Sequence, residues 1–323
     1  MGPGKSMSFK KIVVAGGGVL GSQIAYQSAF KGFDVTIWLR SYSSIGRCQP
    51  KLERLHEIYM GELKALKDQI GKPNPVYSRG LVDDFTALTP EKVDELIAKA
   101  DKAYKAVKLV VDLNEAMEDA DLVIESMAEN PDQKIEFYEK IRDVLPAKTV
   151  LVTNSSTMLP STFAEHTGRP EKYLALHFAN EIWRNNTGEV MGHPGTDQKA
   201  YDQVVEFADQ IGMVPLCLKK EQPGYILNSM LVPFLDAAQT LLAKEVADPE
   251  TIDKTWKLAT GAPAGPFQIL DVVGLTTAYN ITMNNPAVND PDSIPAKIAA
   301  ILKKYIDEGK TGVNAGEGFY KYK

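Results

Sequence analysis

Gly16, Gly18 and Gly21 follow an apolar, β-branched run, Lys11-Ile12-Val13-Val14-Ala15, and a helix-like segment begins at Val19. Gly-x-Gly-x-x-Gly between a strand and a helix suits a pyrophosphate. Gly16 permits the tight turn, Gly18 lets the backbone come close, and Gly21 lets the helix pack on the strand. The first N–H groups of that helix, from Val19 and Leu20 onward, then face the phosphates. These residues predict a dinucleotide site.

The next strand decides which dinucleotide. An acid at its C-terminal end, about 20 residues past the glycines, ordinarily binds a ribose 2′-hydroxyl. Here Asp34-Val35-Thr36-Ile37-Trp38-Leu39 runs into Arg40-Ser41, and Asp34 stands at the wrong end. A guanidinium beside a hydroxyl suits a 2′-phosphate. NADP(H) is therefore favoured, with NAD(H) as the second option.

Three polar stretches stand where strands should end. They are Glu125-Ser126-Met127-Ala128-Glu129-Asn130 with Lys134 nearby, Asn154-Ser155-Ser156-Thr157, and His177-Phe178-Ala179-Asn180 with Glu189 on the following strand-like segment. In an open α/β sheet the C-terminal strand ends form the ligand crevice. Glu129, Lys134, Asn154, Ser156, His177 and Asn180 are expected to converge there. His56, His166 and His193 have no such setting and read as surface or loop histidines. Trp183 and Arg184 fit either a surface lip or a substrate contact.

The elements that must position these groups follow from periodicity. Residues 19–31 read as a helix, 35–39 as a strand, and 108–111, 122–125, 149–153 and 173–178 as further strands. Helices are expected over 133–145 and 198–211, with added strands over 188–191 and 213–218. This alternation predicts a Rossmann-type, doubly wound, mostly parallel sheet. Between 49 and 107 the pattern becomes helical. Residues 51–70 carry a helical apolar period, and Thr89-Pro90-Glu91 opens a second helix as N-cap, proline and acid. Two charged helices exceed what a crossover needs, so a projecting helical hairpin is expected. From Pro223 the chain reads as all helical, over 225–243, 249–260, 267–283 and 294–308. The first of these is apolar enough to be buried between domains or subunits. The expected organisation is a dinucleotide-binding domain over 7–220, with the insertion at about 49–107, and a helical substrate and dimerisation domain over 221–323. Residues 1–6, Met-Gly-Pro-Gly-Lys-Ser, read as a cloning remnant before a native start at Met7.

Composition limits the function class. The 323 residues are 44% hydrophobic and 24% charged, as in a soluble globular protein with two cores. A net charge of −6 without a basic cluster argues against a nucleic-acid partner. No apolar run reaches membrane length, and a first strand near Lys10 leaves no room for a targeting segment. Cys48 and Cys217 are the only cysteines, so no disulfide framework and no metal site are expected. Cys217, in an apolar run, reads as inert core. A cytoplasmic location fits.

The chain resembles the L-3-hydroxyacyl-coenzyme A dehydrogenase family, and the 3-hydroxybutyryl-coenzyme A dehydrogenases within it. Seven blocks occur in family order: the glycine turn, Ala120–Glu125, Asn154–Ser156, the His177 segment, Pro223-Gly224-Tyr225-Ile226-Leu227-Asn228, Gly261-Ala262-Pro263-Ala264-Gly265-Pro266-Phe267, and Gly316-Glu317-Gly318-Phe319-Tyr320. The resemblance implies His177 as general base, Glu189 as the carboxylate that orients it, Ser156 and Asn180 as residues holding the substrate oxygen, and Asn228 as an active-site residue from the second domain. It implies Glu129, Lys134 and Asn154 as cofactor contacts, a homodimer, and a place in fatty acid metabolism. The chemistry agrees: oxidising a secondary alcohol needs a base near neutrality while hydride leaves for the nicotinamide.

Four features depart from the family pattern. The acid after the second strand is absent. Phe178-Ala179-Asn180-Glu181 replaces the usual Phe-Phe-Asn-Pro, Ser229 replaces an arginine, and the hairpin, which in the family helps hold coenzyme A, is longer. The last three fall on the substrate side. They keep open a dehydrogenase of a free 3-hydroxy acid or polyol acid, with Arg184 pairing to the carboxylate. A non-catalytic dinucleotide-binding or structural protein on the same fold is the rival of another class. The His177, Glu189, Ser156 and Asn180 set argues against it.

Overall fold

A computed structural model describes residues 8–323, so the expected remnant lies outside the described residues. The chain divides into two compact units, the first ending at Ile226 and the second spanning Leu227–Lys323.

The first unit alternates strands and helices: β1 (Lys11–Ala15), α1 (Val19–Phe30), β2 (Asp34–Trp38), α2 (Tyr42–Leu66), α3 (Pro90–Ala106), β3 (Lys108–Val110), α4 (Leu113–Met117), β4 (Leu122–Glu125), α5 (Pro131–Ile141), β5 (Val150–Thr153), β6 (Tyr173–Phe178), β7 (Thr187–Met191), α6 (Gln198–Gln210) and β8 (Val214–Cys217). The strands form one eight-stranded sheet in the order β3-β2-β1-β4-β5-β6-β7-β8. Neighbours are parallel except β6 and β7. Both faces are covered, which is why the central strands read as unbroken apolar runs. Ile12, Val14, Leu122 and Ile124 face one core, and Val13, Ala15 and Val123 face the other. Strand order reverses between β1 and β4, and the crevice at such a switch point is where an open sheet binds its ligand.

The inserted helices do not project as expected. Leu52, Leu55, Tyr59, Leu63, Val93 and Ala100 are buried in the same core as α1. The Tyr26 hydroxyl donates to the Ala100 carbonyl at 2.8 Å, and the Tyr26 and Tyr59 rings meet edge-on at 4.6 Å. The reason lies in α1, which is buried around nearly its whole circumference and needs cover beyond the sheet. Cys217 is exposed rather than core, because β8 is the edge strand.

The second unit contains α7 (Leu227–Ala243), α8 (Pro249–Thr260), α9 (Pro266–Val273), α10 (Leu275–Met283) and α11 (Ile294–Asp307). The helix expected over 267–283 breaks at Gly274, whose φ is 97°. Leu235, Phe267, Leu270, Leu275, Ile298 and Leu302 form its core. Two buried aspartates explain the glycine-rich blocks near the C-terminus. Asp253 accepts from the Phe267 and Gln268 N–H groups at 2.8 and 3.1 Å. Asp271 accepts from those of Phe319 and Tyr320 at 2.8 and 3.1 Å, and from the Tyr322 hydroxyl at 2.7 Å. A Cβ on Gly265 would lie 2.4 Å from Asp253 Cγ, and one on Gly318 2.1 Å from Asp271 Oδ1. On α7, Leu235, Ala238 and Ala243 are buried, while Leu227, Met230, Val232 and Leu241 are exposed in the single chain. Among the described residues no helix is long and apolar enough to cross a membrane.

Candidate active site

The glycine turn has the form a dinucleotide needs. Gly16 adopts φ 118°, and a Cβ there would lie 2.4 Å from the Ser126 carbonyl oxygen. A Cβ on Gly21 would lie 2.2 Å from Gly16 O, so β1, its turn and α1 are drawn together only because both residues are glycine. Gly18 is the N-cap of α1, and nothing lies within 4 Å of where its Cβ would be. That open backbone, followed by the free N–H groups of α1, fits a pyrophosphate.

Two cavities meet at this turn, sharing Gly18, Ser126, Met127 and Ala128. One, of about 310 Å³, lies beyond the end of β2 and is lined by Arg40, Ser44, Arg47 and Lys51. None of the described residues lining it is acidic. Arg40 Nη2 donates to Gln133 Oε1 at 3.3 Å, and Arg47 Nη2 to Ser44 Oγ at 2.9 Å. Ser41 is the N-cap of α2, its Oγ 2.9 and 3.0 Å from those of Ser43 and Ser44. Asp34 stands at the far end of β2, paired with Lys108 at 3.2 Å. Sequence reasoning missed Arg47 and Lys51. It began the helix at 51, whereas α2 begins at Tyr42, and four-residue spacing then puts both cations on one face.

The other cavity, of about 330 Å³, is lined by Val19, Leu20, Glu129, Asn154, Ser156 and His177 among others. His177 Nδ1 lies 3.1 Å from Glu189 Oε1. Asn154 Oδ1 accepts from the Phe178 N–H at 3.0 Å, tying the ends of β5 and β6 together. Asn180 stands off this cavity's lining, and its Oδ1 accepts from Gln23 Nε2 at 2.9 Å. Gln23, on α1, was not singled out from the sequence, where nothing separates it from Ser22, Gln27 and Ser28, the other buried polar residues of that helix.

Lys134 is fully buried, not open to the cleft as a cofactor contact would be. It pairs with Glu125 at 2.7 Å and Glu129 at 3.3 Å. Buried Glu125 also accepts from Tyr138 and Thr153 at 2.9 and 2.8 Å. Glu129 accepts from Ser155 and Thr157, both at 2.7 Å. Burial alone would raise the Glu129 carboxyl; the bonds from Thr157 and Ser155 and the Lys134 charge outweigh it and hold it below the ordinary glutamate range. Of this network it is Glu129, paired with Lys134, that lines the cavity together with Glu125 and Ser155.

The loop after β6 is where the chain leaves the family pattern. Glu181 has φ 57°, and its N–H donates to Gln23 Oε1 at 2.8 Å. Proline can do neither, since its ring holds φ near −65° and it has no N–H. Trp183 is buried against Tyr59 rather than forming a lip, because the α2 cover reaches it. Arg184 is half exposed and paired with Glu62 at 2.9 Å. His56 and His166 pair with Asp101 and Glu139, and His193 contacts the Pro170 carbonyl. Asn228 is the second residue of α7, in the helical unit.

A glycine turn at the switch point of a doubly wound sheet, followed by a helical unit, defines a two-unit oxidoreductase that uses a nicotinamide dinucleotide. The model for the NAD-binding domain of 3-hydroxyacyl-CoA dehydrogenase matches residues 81–222, and that for its C-terminal domain matches 224–322. The chain belongs to the 3-hydroxyacyl-CoA dehydrogenase family. It is 29% identical over 319 residues to the mitochondrial hydroxyacyl-coenzyme A dehydrogenase of Homo sapiens, covering 99% of this chain and 93% of that one. It is 29% identical over 317 residues to a probable 3-hydroxybutyryl-CoA dehydrogenase of Bacillus subtilis (strain 168), covering 98% of each. A solved diketoreductase, described by its substrate-directed dual catalysis of dicarbonyl compounds, is 47% identical with a TM-score of 0.82, covering 97% of this chain and 99% of that one.

Proposed function

We propose that this enzyme interconverts a 3-hydroxyacyl thioester and its 3-oxo partner with His177 and Glu189 as the acid–base pair, and prefers NADP(H). The observation that carries the reaction is His177, bonded to Glu189 and lining one cavity with Ser156 and the start of α1. The dinucleotide, when bound, accepts or supplies the hydride. With Nδ1–H directed at Glu189, Nε2 of His177 is the atom that takes the hydroxyl proton, and the carboxylate stabilises the imidazolium. Ser156 and Asn180 hold the substrate oxygen. Gln23 occupies Asn180 Oδ1, leaving the Nδ2 donors for that task. Arg40, Arg47 and Lys51 supply the cationic, acid-free end that a 2′-phosphate requires, with Ser41 beside it at the N-cap of α2.

The second reading takes a dicarbonyl compound without coenzyme A. The 47% identical diketoreductase supports it. So do the lysines of the hairpin, the part that in the family helps hold coenzyme A. Lys67 and Lys105 pair with Asp94 and Asp101, and Lys92 donates to the Ala87 carbonyl. Lys99 and Lys102 line a cavity beside Gly32 and Phe33, at the start of β2 and so at the wrong end of the sheet. The free-acid reading has less support, since Arg184 is paired with Glu62. The test is reduction of acetoacetyl-coenzyme A, a short acetoacetyl thioester, free acetoacetate and a simple 2,4-diketone, each with NADPH and NADH. A specificity constant highest for the full thioester supports the first reading, because remote binding energy raises turnover as well as affinity. A diketone reduced as well as the thioester replaces it with the second. We also propose a homodimer formed through the exposed apolar residues of the helical unit, with light scattering as its test.

A further inference from the structure

We propose that Tyr225 is the positioning residue of His177, fixing the plane of the imidazole while the next backbone N–H holds the Glu189 carboxylate; this rests on the reading of His177 as the base. Three contacts converge on Tyr225 and Ile226. The Tyr225 ring lies against the His177 ring, with centroids 4.6 Å apart and planes 17° from parallel. The Tyr225 hydroxyl donates to the Ser155 carbonyl at 2.6 Å, anchoring the ring to the turn that carries Ser156. The next N–H, that of Ile226, donates to Glu189 Oε2 at 2.9 Å, while Oε1 faces His177.

The backbone is bent to make these contacts. Gly224 and Tyr225 both have positive φ, 83° and 53°. For a bulky residue this conformation is costly and persists where the surroundings over-determine it. Here stack, tether and carboxylate contact do so together. An imidazole bonded at Nδ1 alone can still rock about that bond. A ring held parallel to it removes the freedom and keeps Nε2 aimed at one point, which a hydride-transfer geometry needs. Tyr225 does not itself exchange protons. Its phenol is buried, and burial followed by the Glu189 charge pushes its ionisation far above neutrality. Its face is also electron-rich, so it favours the imidazolium that forms on proton transfer.

The test compares Tyr225→Leu, Tyr225→Phe and His177→Ala in the full-length enzyme. Three quantities are read: kcat, KM and NADPH affinity by nicotinamide fluorescence. Tyr225→Leu removes stack and tether; kcat is expected to fall about 10- to 100-fold, as for a small misplacement of a reacting group. NADPH affinity and KM should hold, so that the loss falls on kcat. Tyr225→Phe keeps the stack and should recover most of kcat. The proposal is overturned if Tyr225→Leu keeps kcat within twofold, if KM or NADPH affinity worsens as much as kcat, or if Tyr225→Phe is as impaired as Tyr225→Leu. If Tyr225→Leu does not fold, Tyr225→Met is judged by the same criteria. An active His177→Ala sinks the underlying reading instead; an inactive one beside a normal Tyr225→Leu sinks only this inference.

Discussion

His177 and Glu189 face each other in register across β6 and β7, the one antiparallel pair of the sheet, and their side chains meet at 3.1 Å. Directly opposed residues on neighbouring strands share a face of the sheet, so the pairing itself delivers the carboxylate to the imidazole. β6 carries the histidine at its C-terminal end, over the crevice. Because β7 returns antiparallel, the acid arrives there from within a strand, held by the ladder on both sides, since β7 also pairs with β8.

Removing that base should be costly and local. His177→Ala is expected to lower turnover by roughly two to four orders of magnitude, the usual worth of general acid–base catalysis. Cofactor affinity should change little, because the glycine turn is untouched. Steady-state kinetics beside a cofactor titration checks both; near-normal turnover in the purified variant would remove His177 from the mechanism.

The fold was legible because its strands are apolar on both faces and its turns carry glycine at the required positions. The polar stretches at the strand ends were legible as breaks in the apolar pattern, although Glu125 and Lys134 turn out to be buried. Hidden features were those set by what lies across space. No periodicity shows that α1 is buried all round, so the pattern alone predicts a projection where α2 and α3 form a cover. Gln23 and Tyr225 look like ordinary helix and loop residues until Asn180 and His177 are seen against them. Lys134 looked like a ligand contact because nothing in the sequence shows that Glu125 and Glu129 enclose it.

The cationic end of the crevice predicts cofactor choice. NADPH should have the higher specificity constant, and Arg40→Ala should cost NADPH selectively. A charge-assisted contact is worth about 1.5–3 kcal/mol, or about ten- to a hundred-fold in affinity. Arg47→Ala should act in the same direction, with NADH nearly unaffected. The check is the affinity of each variant for NADPH, NADH and 2′,5′-ADP. A wild type that binds NADH more tightly, or an Arg40→Ala that weakens both cofactors equally, contradicts this use of the pocket.

Glu181 predicts a reversal of the usual preference at its position. Glu181→Pro removes the N–H bonded to Gln23 and cannot adopt φ 57°. It should lower stability by about 2–4 kcal/mol and raise KM for the substrate, because Asn180 shares the same glutamine. Glu181→Gly accepts the positive φ and should stay within about 1 kcal/mol of wild type. Thermal melts and KM values for both variants decide it. A fully stable proline variant with unchanged KM means the loop does not depend on this conformation.

Asp271 should be the most sensitive polar position of the helical unit. It is buried in α9, and its two oxygens hold the Phe319 and Tyr320 N–H groups and the Tyr322 hydroxyl. Truncation leaves these donors without their acceptor and frees the C-terminal segment that closes over α9. Asp271→Ala should therefore cost about 2–4 kcal/mol, more than a surface charge deletion of the same kind. Asp271→Asn should be partly tolerated, because one oxygen still accepts while the new NH₂ opposes the remaining donors. Urea unfolding followed by circular dichroism measures the loss. An Asp271→Ala midpoint equal to wild type would show that the Gly316–Tyr320 block is held by its own turn and not by this carboxylate.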